Sequence, residues 1–185
     1  MNLLFPKITW PDFKRMVRMG LGGALAGGLY GIVHDEITYT LCPEYFTRLK
    51  FAQFGWADFG LPPRLHVAEI GFLATCWVGF IGVWFLARLA LSHRDSKDQV
   101  RQHVMGGVLL MLAGGVLGGL IGNFFQMHWL GLDAPDWDTM AAEHSITDVA
   151  AFTRVASIHN GSYLGGLAGL TAGLIATRFA NKRAA

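Results

Sequence analysis

Polar residues interrupt this chain at few places, and the apolar stretches between them are long. Four of these, near residues 17–39, 66–91, 104–128 and 149–177, are predominantly apolar. Each is long enough to cross a hydrocarbon core about 30 Å thick, which takes roughly 20 residues. The pattern predicts an all-α membrane protein, a four-transmembrane-helix bundle built as one integral-membrane domain over residues 1–185, with interfacial loops on its outer side. Ahead of the first run, Phe5, Ile8, Trp10 and Phe13 stand beside Lys7, Lys14, Arg15 and Arg18 and read as a short amphipathic lead-in. The apolar run beyond Arg18 is too long for a cleavable signal peptide.

Glycine refines the picture of how the helices meet. It recurs every four residues in three runs: Gly23, Gly27 and Gly31; Gly114, Gly118 and Gly122; Gly161, Gly165, Gly169 and Gly173. That spacing strips one helix face of side chains and predicts glycine-zipper packing, with the first, third and fourth spans sharing one contact region. The second span carries Trp77, Phe80, Trp84 and Phe85 and is expected to turn toward lipid or a partner. GGLYG at 27–31 resembles GGLIG at 118–122, and a histidine, His66 or His159, opens the span after each. This implies a two-plus-two duplication about an axis along the membrane normal. The first outer loop, aromatic and containing Pro43, Pro62 and Pro63, reads as an interfacial helix and a turn. The second is acidic and ends with Ser145 and Asp148 placed as a capping box for the fourth helix.

Composition agrees with a membrane location: 52% of residues are hydrophobic, 24 are glycine and 15% are charged. Charge then sets an orientation. If the N-terminus, the loop near 92–103 and the C-terminus share a side, that side holds 11 of the 15 Lys and Arg residues but 3 of the 13 Asp and Glu residues. Positive-inside bias puts both termini in the cytoplasm. No basic stripe with interleaved aromatics points to nucleic acid. Cys42 and Cys76 fall too far apart along the membrane normal to bridge and are expected to be free thiols.

The candidate chemistry lies at one depth. His34 is 16 residues beyond Arg18, Glu69 is 19 before Arg88, and His159 is 19 before Arg178. At about 1.5 Å per residue, all three sit about 24 to 29 Å from the inner boundary. Ionisable groups there are expensive unless they face one another, at about 2.5 to 3.5 kcal/mol each. His66 and Glu69 share a helix face. With His34 and His159, and with Glu36, Asp35 or Glu44 completing the shell, they form a candidate site for iron, copper, manganese or zinc. The preferred ligand set is His34, Glu36, His66, Glu69 and His159. A haem between two of these histidines fits less well among short glycine-packed helices, and quinone binding at His, Tyr30, Tyr39 or Tyr163 is open. Arg154 competes, either snorkelling outward or pairing with Glu69 or Asp35. His93 and His103 read as head-group contacts and His128 as a solvated helix end. No GxSxG, CxxC, HExxH or phosphate-loop pattern occurs.

The stretch YGIVHDEITYTLCPEYFTRLKFAQFGW, residues 30–56, resembles a segment of small bacterial integral-membrane proteins, with HDxxTYTxxPEYF as its distinctive part. That resemblance implies a bacterial inner-membrane setting and transfers no site residues. Together the residues predict a membrane-embedded metal- or redox-cofactor-binding protein with its site near the periplasmic face, serving electron transfer or oxidation. The alternatives are a structural or assembly subunit of a larger complex, or a small-solute or proton transporter acting as an oligomer.

Overall fold

A computed structural model describes residues 8–92, 96–128 and 135–183 of the chain. The Phe5, Lys7 and His93 named above lie outside them, as does the side chain of His128. Five α-helices follow in order: α1 (Trp10–Leu41), α2 (Pro63–Ser92), α3 (Lys97–His128), α4 (Pro135–Glu143) and α5 (Val149–Arg183). The first outer loop is helical too, with a π-helical turn at Tyr45–Lys50 running into short turns at Phe51–Gln53 and Gly55–Ala57. Trp56 and Phe59 project from it, about three-quarters exposed.

Helix α1 begins where the local chemistry allows. Thr9 caps it, accepting from the Asp12 backbone N–H at 3.3 Å, and Pro11 occupies the first turn. The amphipathic lead-in is therefore not a separate element from Trp10 onward, because no breaker separates it from the apolar run. Helix α5 is capped by Asp148, whose carboxylate accepts from Ala151 N–H at 2.9 Å. Ser145, expected to open a capping box, instead stands in the turn before it with φ +52°.

Three helices, α1, α2 and α3, are long and apolar enough to cross a membrane. Helix α5, with 35 residues, has the length. Its first half holds Arg154, Ser157, His159, Asn160 and Ser162, which dilute its apolar character.

The helices pair as two antiparallel hairpins, α1 with α2 and α3 with α5. This revises the expected contact region: the glycine face of α1 meets the second span, not the third and fourth. A Cβ on Gly23, Gly27 or Gly31 would run into the carbonyl oxygens of Gly79, Thr75 and Gly71. Likewise Gly114, Gly118 and Gly122 confront the carbonyls of Gly165, Gly161 and Ser157. Spacing alone shows a bare face but not what covers it, and α2 hides its own small residues, Gly71, Thr75 and Gly79, among aromatics. Trp77 and Phe85 do turn outward, while Phe80 packs on Gly20. The two ladders descend in the same steps of four. Aligned on them, the equivalent of His159 in the first hairpin is Leu73 and not His66.

At such distances backbone Cα–H···O contacts and dispersion replace side-chain packing, and Thr75 Oγ1 adds a bond to the Gly27 carbonyl at 2.7 Å. Larger side chains gather at the two ends. Met16, Val83, Leu86 and Val104 fill the end where α1 begins. Tyr45, Phe46, Val67, Phe152 and Val155 fill the opposite one, where the loop between α1 and α2 folds over the helices.

Gly118→Leu places a branched side chain against backbone that cannot yield. Its unfolding midpoint in detergent should fall by the equivalent of about 1–3 kcal/mol or more, whereas Gly22→Ala, which meets open space, should leave the midpoint unchanged.

Candidate metal centre

The buried positions of α1 run Met16, Gly20, Gly23, Gly28, Gly31, Asp35 and Thr38, a continuous helical stripe that ends in two polar residues. The stripe carries Asp35 inward and leaves Glu36 about 100° around the helix. His34 lies on the flank turned to α5. From α5, His159 and Ser162 share a face one turn apart and complete the cluster.

Asp35 stands between the imidazoles. Its Oδ1 is 3.1 Å from His34 Nδ1 and 3.9 Å from His159 Nε2. The side chains of Asp35 and His159 are only 6% and 3% exposed. The rings of His34 and His159 meet edge to face with centroids 4.5 Å apart. Hydroxyls join them, with Ser162 Oγ 3.1 Å from Nε2, the other ring nitrogen of His34, and Thr38 Oγ1 3.2 Å from His159 Nε2, the same nitrogen that faces Asp35. Each of the three residues can offer one ligand atom so that all lie within 4.8 Å of one another, a group that could hold a metal ion.

The first loop roofs this cluster. Tyr45 stacks on His159 at 4.8 Å and 27°, and the Lys50 ammonium lies 5.8 Å from the Tyr45 ring centroid. Both are buried. Burial raises the pKa of the Tyr45 phenol and lowers that of Lys50, against the pull of the Asp35 carboxylate.

Of the predicted ligands, the structure brings together His34 and His159 and does not add Glu36, His66 or Glu69 to them. Glu36 accepts from Arg64 at 2.7 Å, a half-exposed pair that ties the end of α1 to the start of α2 and contributes about 0–1 kcal/mol. His66 and Glu69 pair with each other across one turn of α2 at 3.3 Å, and Phe51 covers the His66 ring. Arg154 takes neither carboxylate proposed for it; its Nε donates to Asn123 Oδ1 of α3 at 2.6 Å. Cys42 and Cys76 are free. Thr38, Ser162, Tyr45 and Lys50 were not anticipated, since hydroxyls and loop residues add nothing to a depth pattern. The spacings of four between His34 and Thr38 and of three between His159 and Ser162 were the available signals.

Glu44, an alternative ligand, serves the fold instead. It accepts from Thr147 N–H and Asp148 N–H at 3.0 and 2.9 Å and from the Thr147 hydroxyl at 2.7 Å, fastening the first loop to the start of α5. The bond from Asp148 N–H is the main reason its pKa lies below the usual 4.5. Compared with protein-family models, with curated proteins and with solved structures, the chain matches none.

A carboxylate with a depressed folded pKa stabilises the fold above its unfolded pKa, and that contribution is lost as pH falls through the folded value. Glu44→Gln should therefore lower the thermal midpoint of the detergent-solubilised protein at about pH 7. The gap from wild type should close toward about pH 3, as measured by scanning fluorimetry across that range.

Proposed function

We propose that this chain is a four-span integral membrane protein that holds a transition-metal ion between His34, Asp35 and His159, near the outer face of the bacterial inner membrane. In this reading α5 is the fourth span, its polar half turned to the site, and both termini are cytoplasmic, as the charge asymmetry favours. The observation that carries it is the convergence of the part-buried His34 imidazole and the buried Asp35 carboxylate of α1 with the buried His159 imidazole of α5. A cation there offsets the carboxylate charge that a low-dielectric interior penalises.

The geometry supports coordination with small adjustments. Bonds of about 2.0 to 2.2 Å around a tetrahedral ion put ligand atoms about 3.4 Å apart, close to the 3.1 and 3.9 Å from Asp35 to the two rings. Ser162 on the other nitrogen of His34 fixes the ring's tautomer and orientation, as an outer-shell partner does. Two imidazoles and one carboxylate suit iron, copper, manganese or zinc and leave coordination positions open. When bound, such an ion supplies Lewis-acid or one-electron chemistry. The protein contributes a site screened from water by Tyr45 and the outer apolar cluster.

Metal analysis after purification and after reconstitution with each of the four ions should find about one ion per chain, since one ligand set is present. Asp35→Asn and His159→Ala should abolish binding, and Ser162→Ala should weaken it about 10- to 100-fold. Wild-type protein that stays metal-free with every ion would end the metal reading.

A further inference from the structure

Two recesses meet at the same three side chains, Tyr30, His34 and Ser162. One is a partly open cavity of about 150 Å³ between the hairpins, walled by apolar residues such as Met111, Leu112 and Leu170 and closed at one end by Asp35 and His159 of the candidate metal centre. The other is a groove of about 370 Å³ on the outside of α1, α3 and α5. Its walls include Val33, Ile37 and Leu120, which are 60%, 58% and 61% exposed. In a membrane these residues face lipid, so the groove is a side entrance from the bilayer, and the cavity lies behind the three polar residues at its end.

The polar end is built to meet a ligand. The Tyr30 hydroxyl is buried beside that of Ser162 and makes no well-aligned hydrogen bond. It lies over Gly115, where even a Cβ would come within 2.9 Å of it, so the glycine makes the room it occupies. A buried hydroxyl donor without a well-aligned acceptor is unusual, because desolvation is then uncompensated. Ser162, buried beside it, supplies a second hydroxyl. The apolar walls disfavour water, and a cavity of about 150 Å³ lined by such residues takes a single benzene-sized ring.

We propose that this cavity binds the head of a one-ring quinone or quinol dissolved in the membrane. The ring occupies the space between the hairpins, a ring oxygen accepts from Tyr30, and the tail leaves through the groove. A ligand from water would not enter through a wall of exposed Val, Ile and Leu. A hydrocarbon would leave Tyr30 unsatisfied, and a fused two-ring head exceeds the volume. The proposal goes beyond the metal reading: the cavity shares His34, Asp35 and His159 with that site but needs no ion there.

The test uses full-length protein in phosphatidylcholine nanodiscs, titrated calorimetrically with a decyl-tailed benzoquinone, with decylbenzene as the probe lacking ring oxygens. Saturable binding of one quinone per chain is expected, with decylbenzene at least ~10-fold weaker. Tyr30→Phe should weaken quinone binding at least ~10-fold. Gly166→Leu fills the cavity from a position with no neighbour closer than 3.9 Å and should abolish binding while keeping the wild-type thermal midpoint. Should that variant fail to fold, Tyr30→Phe and the decylbenzene comparison decide. Unsaturable uptake, equal affinity for decylbenzene, or binding undiminished in Tyr30→Phe would overturn the proposal. Repeating the titration on chelator-treated wild-type protein separates the two readings. Quinone binding that survives without metal leaves this proposal standing whatever becomes of the metal site, and a metal-loaded protein that ignores quinone refutes this proposal alone.

Discussion

Backbone meets backbone in this molecule, and every other placement follows from that contact. In lipid there is no hydrophobic force to press two helices together, so association rests on dispersion and weak polar contacts that only a close approach delivers. The glycine ladders provide that approach within each hairpin, and they leave almost no freedom of register or rotation. A slide of one residue would drive a side chain into a carbonyl on the opposite helix. With rotation fixed in this way, His34 and Asp35 of one hairpin come to face His159 and Ser162 of the other. The fine geometry of the polar cluster is thus inherited from residues that have no side chains.

Each hairpin has a bare side, used for pairing within it, and a functional side, used between hairpins. On α5 the glycines at 161 and 165 touch α3, while His159, Ser162 and Gly166 look toward α1 and the central cavity. The hairpins meet loosely in the middle and more tightly at their ends, where Leu86 and Val104 pack at one and Phe46 and Phe152 at the other. Space remains at mid-membrane because the bulk has been moved to the termini of the bundle.

Much of this was legible in the sequence, and what was not had a physical reason. Apolar run length set the helices, and the four-residue glycine period marked the bare faces. Counting from Arg18 and Arg178 put His34 and His159 in one layer, and they do meet. Depth carries no information about direction around a helix, which is why Glu36 was preferred to Asp35 although the buried stripe, continued four residues past Gly31, lands on Asp35. The same limit misplaced His66 and Glu69, which share the layer and satisfy each other on α2. Arg154 was sought by carboxylates on paper, but an amide on the neighbouring helix was nearer. The partnership of α1 with α2 was hidden because aromatic residues dominate α2 and conceal its small ones.

The π-helical turn over the cluster widens the coil so that positions five apart come into line, where an ordinary α-helix would set them about 140° apart. Tyr45 and Lys50 owe their stacked arrangement above His159 to that one inserted residue. Removing a single residue between them would swing the ammonium away from the phenol and would also shift Phe46, which is buried in one cluster with Val67 of α2 and Phe152 of α5. The lid is therefore tied to both hairpins, and a change in the length of the loop reaches the site and the apolar cluster beside it together.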